Sequence, residues 1–187
     1  MADHPFTLPE ALPVPGDDGA GRHLPGLALP SVSLASTDGS SVDLSRLSGR
    51  WVIYVYPMTG KPGVALPDGW DEIPGARGCT PQSCGFRDHH AELQALGTNV
   101  YGLSSQHSGY QREARDRLHL PFELLSDAAL QLKHVLRLPT FEADGMELYK
   151  RLTIIARDRR IETVFYPVFP PDRNAADVLA WLRDNAR

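Results

Sequence analysis

The sequence predicts an α/β domain in which helices flank a mixed central sheet. Three observations support this prediction: a continuous β-branched and aromatic run at 51–57, helical patterns that alternate with short apolar runs, and two late apolar runs joined by a tight turn. In chain order the predicted elements are β, α, β, α, β, α, β, β, α. The last two strands form a hairpin, which makes the sheet mixed.

Composition and charge exclude several classes of function. The chain has 187 residues, 42% hydrophobic and 22% charged, a balance typical of one globular domain. The net charge is -4 and no run of Lys or Arg occurs, so we do not expect nucleic acid as a partner. The first residues lack a basic flank and an apolar run, and no long apolar stretch follows, so we expect no membrane span and a cytoplasmic location.

Two segments are predicted to be irregular because proline and glycine interrupt them. Residues 1–26 hold five prolines and form an N-terminal arm, which leaves 27–187 as the folded domain. Residues 58–78 form a loop far longer than the usual two to six residues or so. Since this loop directly precedes two cysteines, we expect it to act as a lid.

The remaining elements follow from the spacing of apolar residues. The first strand ends at Pro57, and Thr80 and Pro81 are typical of the N-cap and first turn of a helix of about sixteen residues that ends at Gly97. The other predicted elements are strands at 99–104, 122–125, 151–157 and 161–166, and helices at 108–118, 127–136 and 174–187.

The chain has two cysteines, Cys79 and Cys84, with four residues between them. Such a close pair in a reducing compartment indicates reactive thiols more than structural staples. A strand, a loop and a helix start place Cys79 at the positive end of a helix dipole, which favours the thiolate over the thiol. Cys79 is therefore the predicted nucleophile of the two.

The cysteine spacing leaves alternatives open. In a regular helix the two α-carbons are roughly 8 to 9 Å apart, whereas a disulfide needs them within about 7 Å, so bonding requires the first turn to unwind. Both thiols could instead be inert, with Cys84 a small core residue. The sequence supports a zinc site less than it supports either of these alternatives, because no second Cys or His pair lies nearby to complete four ligands. We expect no metal.

Two segments match the sequence pattern of a known family: Tyr56-Pro57, and Gly78-Cys-Thr-Pro-Gln-Ser-Cys-Gly-Phe-Arg-Asp88. Together they resemble the peroxiredoxin family, in its bacterioferritin-comigratory-protein branch, where a strand ending in Tyr-Pro precedes a Gly-Cys-Thr-x-x-x-Cys-x-Phe-Arg-Asp motif. The similarity continues through 101–104, 121–127 and 151–155, and spans about residues 24–187.

The resemblance implies a thioredoxin-like fold that reduces hydrogen peroxide and organic hydroperoxides without metal or other cofactor. It implies that Cys79 is the peroxidatic cysteine, that Cys84 is the resolving cysteine, and that the two form an intramolecular disulfide. By the same resemblance Arg151 stabilises the thiolate and the transition state, and Pro57 shields the site. A thioredoxin-type or other thiol supplies the electrons, and the protein is a monomer or homodimer.

One departure from the family pattern concerns a hydroxyl. The family places a threonine three residues before the peroxidatic cysteine, where this chain has Ala76, and about fifteen extra residues follow Pro57. Thr59, or with less support Thr80, would have to supply that group. Two other functions stay open: a thiol-disulfide oxidoreductase on the same fold, although those enzymes use Cys-x-x-Cys, and a redox sensor.

Overall fold

The computed structural model describes residues 8–9 and 11–186. Its strands and helices within these residues are β1 (Ser33–Ser36), β2 (Ser41–Asp43), β3 (Arg50–Val55), α1 (Cys79–Asp88), α2 (His90–Ala95), β4 (Thr98–Ser104), α3 (Ser108–Arg117), β5 (Leu124–Ser126), α4 (Gln131–Val135), β6 (Thr140–Ala143), β7 (Met146–Tyr149), β8 (Leu152–Arg157), β9 (Arg160–Phe165) and α5 (Asn174–Asp184).

Seven strands form one sheet in the order β2-β1-β5-β4-β3-β8-β9, and β6 pairs with β7 in a separate hairpin. Strands β3, β4 and β5 are parallel, whereas β8 runs antiparallel to β3 and β9 antiparallel to β8. The predicted mixed α/β sheet with flanking helices is confirmed, and the arrangement is thioredoxin-like.

Strand β3 is the central strand and divides the core into two layers. Val52 and Tyr54 belong to one apolar cluster, which also contains buried residues of α1, α2 and α5. Ile53 and Val55 belong to the other cluster, which contains residues of α4 and the N-terminal segment. Since successive side chains of a strand point to opposite faces, both faces of β3 are buried, and its continuous apolar sequence follows from this.

The predicted sixteen-residue helix was wrong in two respects. Helix α1 begins at Cys79, with Gly78 rather than Thr80 as its N-cap, and it ends at Asp88, so that His89 separates it from α2. His89 has φ -97° and ψ 7°, outside the helical values, which redirects the chain. The change of direction lets Leu93 enter the same apolar cluster as Phe86.

The helix predicted at 127–136 is shorter in the structure, where Asp127 lies before the helix and binds its first backbone N–H groups. The two carboxylate oxygens of Asp127 accept hydrogen bonds from the backbone N–H groups of Gln131 and Leu132, at 2.8 and 2.9 Å. Leu130, directly before α4, has a positive φ of 53°. The helix is thereby restricted to Gln131–Val135.

Two hairpins were not predicted, β1–β2 and β6–β7. The β6–β7 turn is Asp144-Gly145, and both residues have positive φ, 50° and 71°. This conformation is that of a two-residue hairpin turn, for which Asp-Gly is a preferred sequence. The dipeptide was therefore an available signal for the second hairpin.

The N-terminal arm and the long loop both pack on the domain. Between 11 and 26 the chain makes turns without helix or strand, and Leu24 is fully buried. The loop at 58–78 contains one short 3-10 helix, Trp70–Glu72, and Trp70 packs with Ala143 and Leu148 of the β6–β7 hairpin. Among the described residues, no helix is long and apolar enough to cross a membrane.

Candidate active site

The Cys79 thiol lies at the first residue of α1, directly after a residue that only glycine suits. Gly78 has φ +108°, a region that L side chains rarely adopt, and a Cβ there would lie 2.3 Å from Cγ of Pro171. Cys79 is 3% exposed, and its Sγ lies 3.7 Å from the carbonyl oxygen of Ala76. The thiol therefore lies at the positive end of the helix, where unpaired backbone N–H groups favour an anion.

Arg151, at the residue before β8, brings a positive charge to the sulfur. Its Nη2 lies 3.1 Å from Sγ of Cys79 and also donates to the carbonyl oxygens of Ala76 and Arg77, at 3.0 and 3.2 Å. The side chain is 3% exposed, and among the described residues it makes no ion pair with a carboxylate. Among its described partners, the Cys79 sulfur is the one ionisable group in contact with this buried cation.

Three further side chains form a hydrogen-bonded chain that ends at Arg151, and sequence reasoning missed all of them. Gln82 Oε1 accepts from Nη1 of Arg151, and Gln82 Nε2 donates to Oδ1 of Asn174 at 2.9 Å. Thr153 Oγ1 donates to the same Asn174 oxygen at 2.7 Å. The available signal for Gln82 was its position three residues after Cys79 on the same helix face. Asn174 and Thr153 are distant in sequence and carried no such signal.

Cys84 lies in the same helix as Cys79, and both thiols are free. The Cys84 side chain is 7% exposed and belongs to the apolar cluster formed with Phe86 and Leu93. Burial raises the pKa of the Cys84 thiol, and Arg87 opposes this effect. Cys84 is therefore a core thiol whose surroundings favour the protonated form.

Tyr54 in β3 and Tyr56 just after it belong to the same apolar cluster as the two thiols. Tyr54 stacks on Phe86 with ring centroids 4.6 Å apart, and its hydroxyl donates to Oγ of Ser83 at 3.1 Å. Burial raises the pKa of Tyr54 and of Tyr56 well above the usual value for tyrosine. Both phenols are therefore neutral at physiological pH and add no negative charge near Cys79.

A cleft of about 510 Å³ opens above Cys79. The loop at 58–78, which we expect to act as a lid, supplies much of the wall and forms one side of the site. The lining residues combine apolar side chains with three cations: Leu8, Met58, Gly60, Lys61, Pro62, Val64, Leu66, Trp70, Arg77, Gly78, Cys79, Thr80, Pro81 and Arg117. Such a cleft fits a small molecule that reaches the Cys79 sulfur and has an apolar part to bury against the wall.

The other predicted site residues lie close to the cleft, and only Thr80 is in its wall. Pro57 is buried, two residues after the end of β3. Thr59 is 1% exposed, and its Oγ1 donates to Oε1 of Gln106 at 3.2 Å, while Gln106 Nε2 donates to the Thr59 carbonyl at 3.1 Å. Thr80 lines the cleft. The structure thus brings Cys79 and Arg151 together and gives Thr59 a different hydrogen-bond partner.

The sequence of this chain is similar to those of known proteins. The Redoxin family model matches residues 24–179. A chloroplastic peroxiredoxin Q of Oryza sativa subsp. japonica is 27% identical over 164 residues, 87% of this chain and 68% of that protein. Peroxiredoxin bcp1 of Schizosaccharomyces pombe is 34% identical over 104 residues, 54% of this chain and 46% of that protein.

Solved structures show the same fold. Peroxidoxin BcpB from Mycobacterium tuberculosis has a TM-score of 0.69 at 24% identity, covering 86% of this chain and 97% of that one. A mutant of PrxQ from Xylella fastidiosa has a TM-score of 0.70 at 19% identity, covering 87% and 96%. The family match, the paired cysteines and the shared fold agree: this chain belongs to the redoxin family, in the peroxiredoxin Q or bacterioferritin-comigratory-protein branch, and is a thiol peroxidase.

Proposed function

We propose that Cys79 is the peroxidatic cysteine of this enzyme and Cys84 its resolving cysteine. The Cys79 thiolate attacks the terminal oxygen of hydrogen peroxide or an organic hydroperoxide, the O–O bond breaks, and the leaving alkoxide or hydroxide takes a proton. Cys79 becomes a sulfenic acid, and water or an alcohol is released. The observation that supports this most is the 3.1 Å contact between Arg151 Nη2 and Cys79 Sγ at the base of an open cleft.

Arg151 acts on both the ground state and the transition state in this proposal. Its charge stabilises the thiolate, and a guanidinium N–H near the sulfur also stabilises the charge that moves to the leaving oxygen. Pro57 and Thr59 shape the region behind the cleft. A direct role of Thr59 in peroxide binding requires its hydroxyl to exchange Gln106 for a peroxide oxygen.

The second half of the cycle regenerates the thiolate. Cys84 attacks the Cys79 sulfenic acid, a disulfide forms, and water leaves. A dithiol of the thioredoxin type, or another thiol, then reduces the disulfide by exchange and is itself oxidised. We further propose a cytoplasmic location and a monomeric or homodimeric state, the second of which light scattering on the purified protein checks directly.

Two serine variants test the roles of the cysteines. With one equivalent of hydrogen peroxide, the reduced wild type should lose both thiols and two protons' mass, measured by intact mass and free-thiol count. Cys79→Ser should consume no peroxide, whereas Cys84→Ser should consume one equivalent and stop at a sulfenic acid that dimedone traps. Peroxide consumption by Cys79→Ser at the wild-type rate would exclude the assignment, and a wild-type rate no faster than that of free cysteine would favour a redox sensor.

A further inference from the structure

A chain of buried polar side chains connects the start of helix α5 to the guanidinium of Arg151. It runs from Thr153 and Asn174 through Gln82, and these three side chains are 0%, 2% and 0% exposed. The elements that carry them are β8, α5 and α1. A buried polar group costs stability unless it is hydrogen-bonded, so each bond in this chain constrains the next.

The direction of every bond follows from the arginine. A guanidinium only donates, so Gln82 has to present Oε1 to it, and the amide Nε2 of Gln82 then points to a group that accepts. That group is Oδ1 of Asn174, which also accepts from the Thr153 hydroxyl. Asn174 therefore holds the Gln82 amide in the orientation that the guanidinium requires.

Without the Asn174 oxygen, the Nε2 of Gln82 would lose its acceptor inside the core, and of these two bonds only the one to Arg151 would still hold the Gln82 amide. A shift of the side chain that gave Nε2 another acceptor would draw Oε1 away from Nη1 of Arg151. Arg151 would then lose the contact at Nη1 and retain the backbone carbonyls at Nη2 as its anchors. The Nη2 contact with Cys79 would be less well defined as a result.

We propose that Asn174 is a positioning residue for the peroxidase reaction, which acts on Cys79 through Gln82 and Arg151, with Thr153 orienting Asn174 in turn. This inference rests on the proposed role of Arg151 at Cys79. It assigns a function to the first residue of the C-terminal helix, which does not line the cleft.

The experiment measures Cys79 alone, in a Cys84→Ser background. Two quantities are compared: the second-order rate constant for oxidation by hydrogen peroxide, by stopped-flow tryptophan fluorescence, and the pH dependence of alkylation by iodoacetamide. Asn174→Ala should lower the oxidation rate constant about tenfold, as expected for loss of a buried hydrogen bond that supports a charged group. The alkylation profile should move to higher pH.

Substitutions at Thr153 and a core control separate positioning from stability. Thr153→Val keeps the shape and removes the donor, so it should lower the oxidation rate about threefold, while Thr153→Ser keeps the hydroxyl and should restore the rate. Val178→Ala, a fully buried site in the same helix, should lower Tm and leave both kinetic quantities unchanged in the folded protein.

The outcomes are distinct. An unchanged rate constant and alkylation profile in Asn174→Ala, together with a large loss in Arg151→Met, would overturn the positioning role and leave the proposed function intact. An Arg151→Met variant that also retains the wild-type rate would overturn the role of Arg151 itself. Equal kinetic losses in Asn174→Ala and Val178→Ala would show a general effect of stability and contradict the inference.

Discussion

Arg151 Nη2 and Cys79 Sγ lie 3.1 Å apart although 72 positions separate the two residues in the sequence. The first residue of α1 supplies the sulfur, and the residue before β8 supplies the cation, so the contact exists only in the folded domain. Because Arg151 has neutral partners apart from the sulfur, its charge acts mainly on Cys79.

Replacement of Arg151 by Met should lower the second-order rate constant for Cys79 oxidation by roughly 10²–10³, the usual effect of removing a donor that stabilises developing charge. Arg151→Lys keeps the positive charge and loses the planar set of guanidinium donors, so its rate constant should lie between those of the wild type and Arg151→Met. Stopped-flow oxidation measures both. Arg50→Met is the matched control, since Arg50 is also buried but pairs with Glu162 away from the cleft; a comparable loss there would contradict a specific role.

Disulfide formation should unwind the first turns of α1, because both cysteines lie in that helix and are too far apart in a regular one. Hydrogen exchange of the backbone amides at 79–88 should be at least about tenfold faster in the oxidised than in the reduced protein, since exchange reports local opening. Mass spectrometry of peptides from 79–88 and from α5 measures this. Unchanged exchange at 79–88 in a protein whose Cys79–Cys84 bond is confirmed by mass would refute the prediction.

The loop wall of the cleft should favour organic hydroperoxides. Val64 lines the cleft and is 54% exposed, so Val64→Ser removes an apolar contact for the substrate with little effect on the fold. We expect kcat/KM for cumene hydroperoxide to fall about threefold and that for hydrogen peroxide to stay unchanged, because only the larger substrate has apolar surface to bury. Val135→Ser, also 54% exposed but in α4, is the control and should change neither value.

The contacts of Asp18 with Lys150 and Tyr166 should stabilise the packing of the N-terminal arm on the domain, and this stabilisation should depend on pH. Hydrogen bonds from Lys150 and then from Tyr166 lower the pKa of Asp18 from 3.8 to about 2. Because the folded pKa is below the unfolded one, the stabilisation is complete above about pH 4 and is lost as the pH falls through about 2. The side chain is 46% exposed, so we expect less than about 1 kcal/mol.

Thermal unfolding of Asp18→Asn between pH 2 and 6 tests this. The Tm difference from wild type should be largest above about pH 4 and shrink as the pH falls towards 2. Asp17→Asn is the control, since Asp17 is 47% exposed and bonds Arg22 within the arm itself. A Tm difference for Asp18→Asn that is the same at every pH would argue against the carboxylate contact.

The central strand and the mixed sheet could be predicted from local sequence, and the assignment of Cys79 as nucleophile stays a prediction. The run of apolar residues identified β3, whereas Thr80-Pro81 predicted a helix start two residues after the one observed at Cys79. Arg151 followed only from resemblance to a family, since no local pattern connects it to Cys79. Gln82 and Asn174 were missed because a buried polar side chain becomes meaningful only when its partner's position is known.

The helix break at His89 and the β6–β7 hairpin were missed for different reasons. The break depends on how Leu93 packs against the rest of the core, which is a tertiary effect that overrides helix propensity. The β6–β7 hairpin had a local signal in Asp144-Gly145, and it was overlooked because its strands lack clear alternation.

The buried guanidinium beside Cys79 also affects the reduction potential of the cysteine pair. Arg151 contacts the sulfur in the reduced protein and would stabilise a thiolate there, whereas a disulfide carries no charge for it to stabilise. Each factor of ten by which this contact favours the reduced form raises the potential of the couple by about 30 mV. The contact that we propose activates Cys79 as a nucleophile would therefore also make the oxidised protein easier for a thiol donor to reduce.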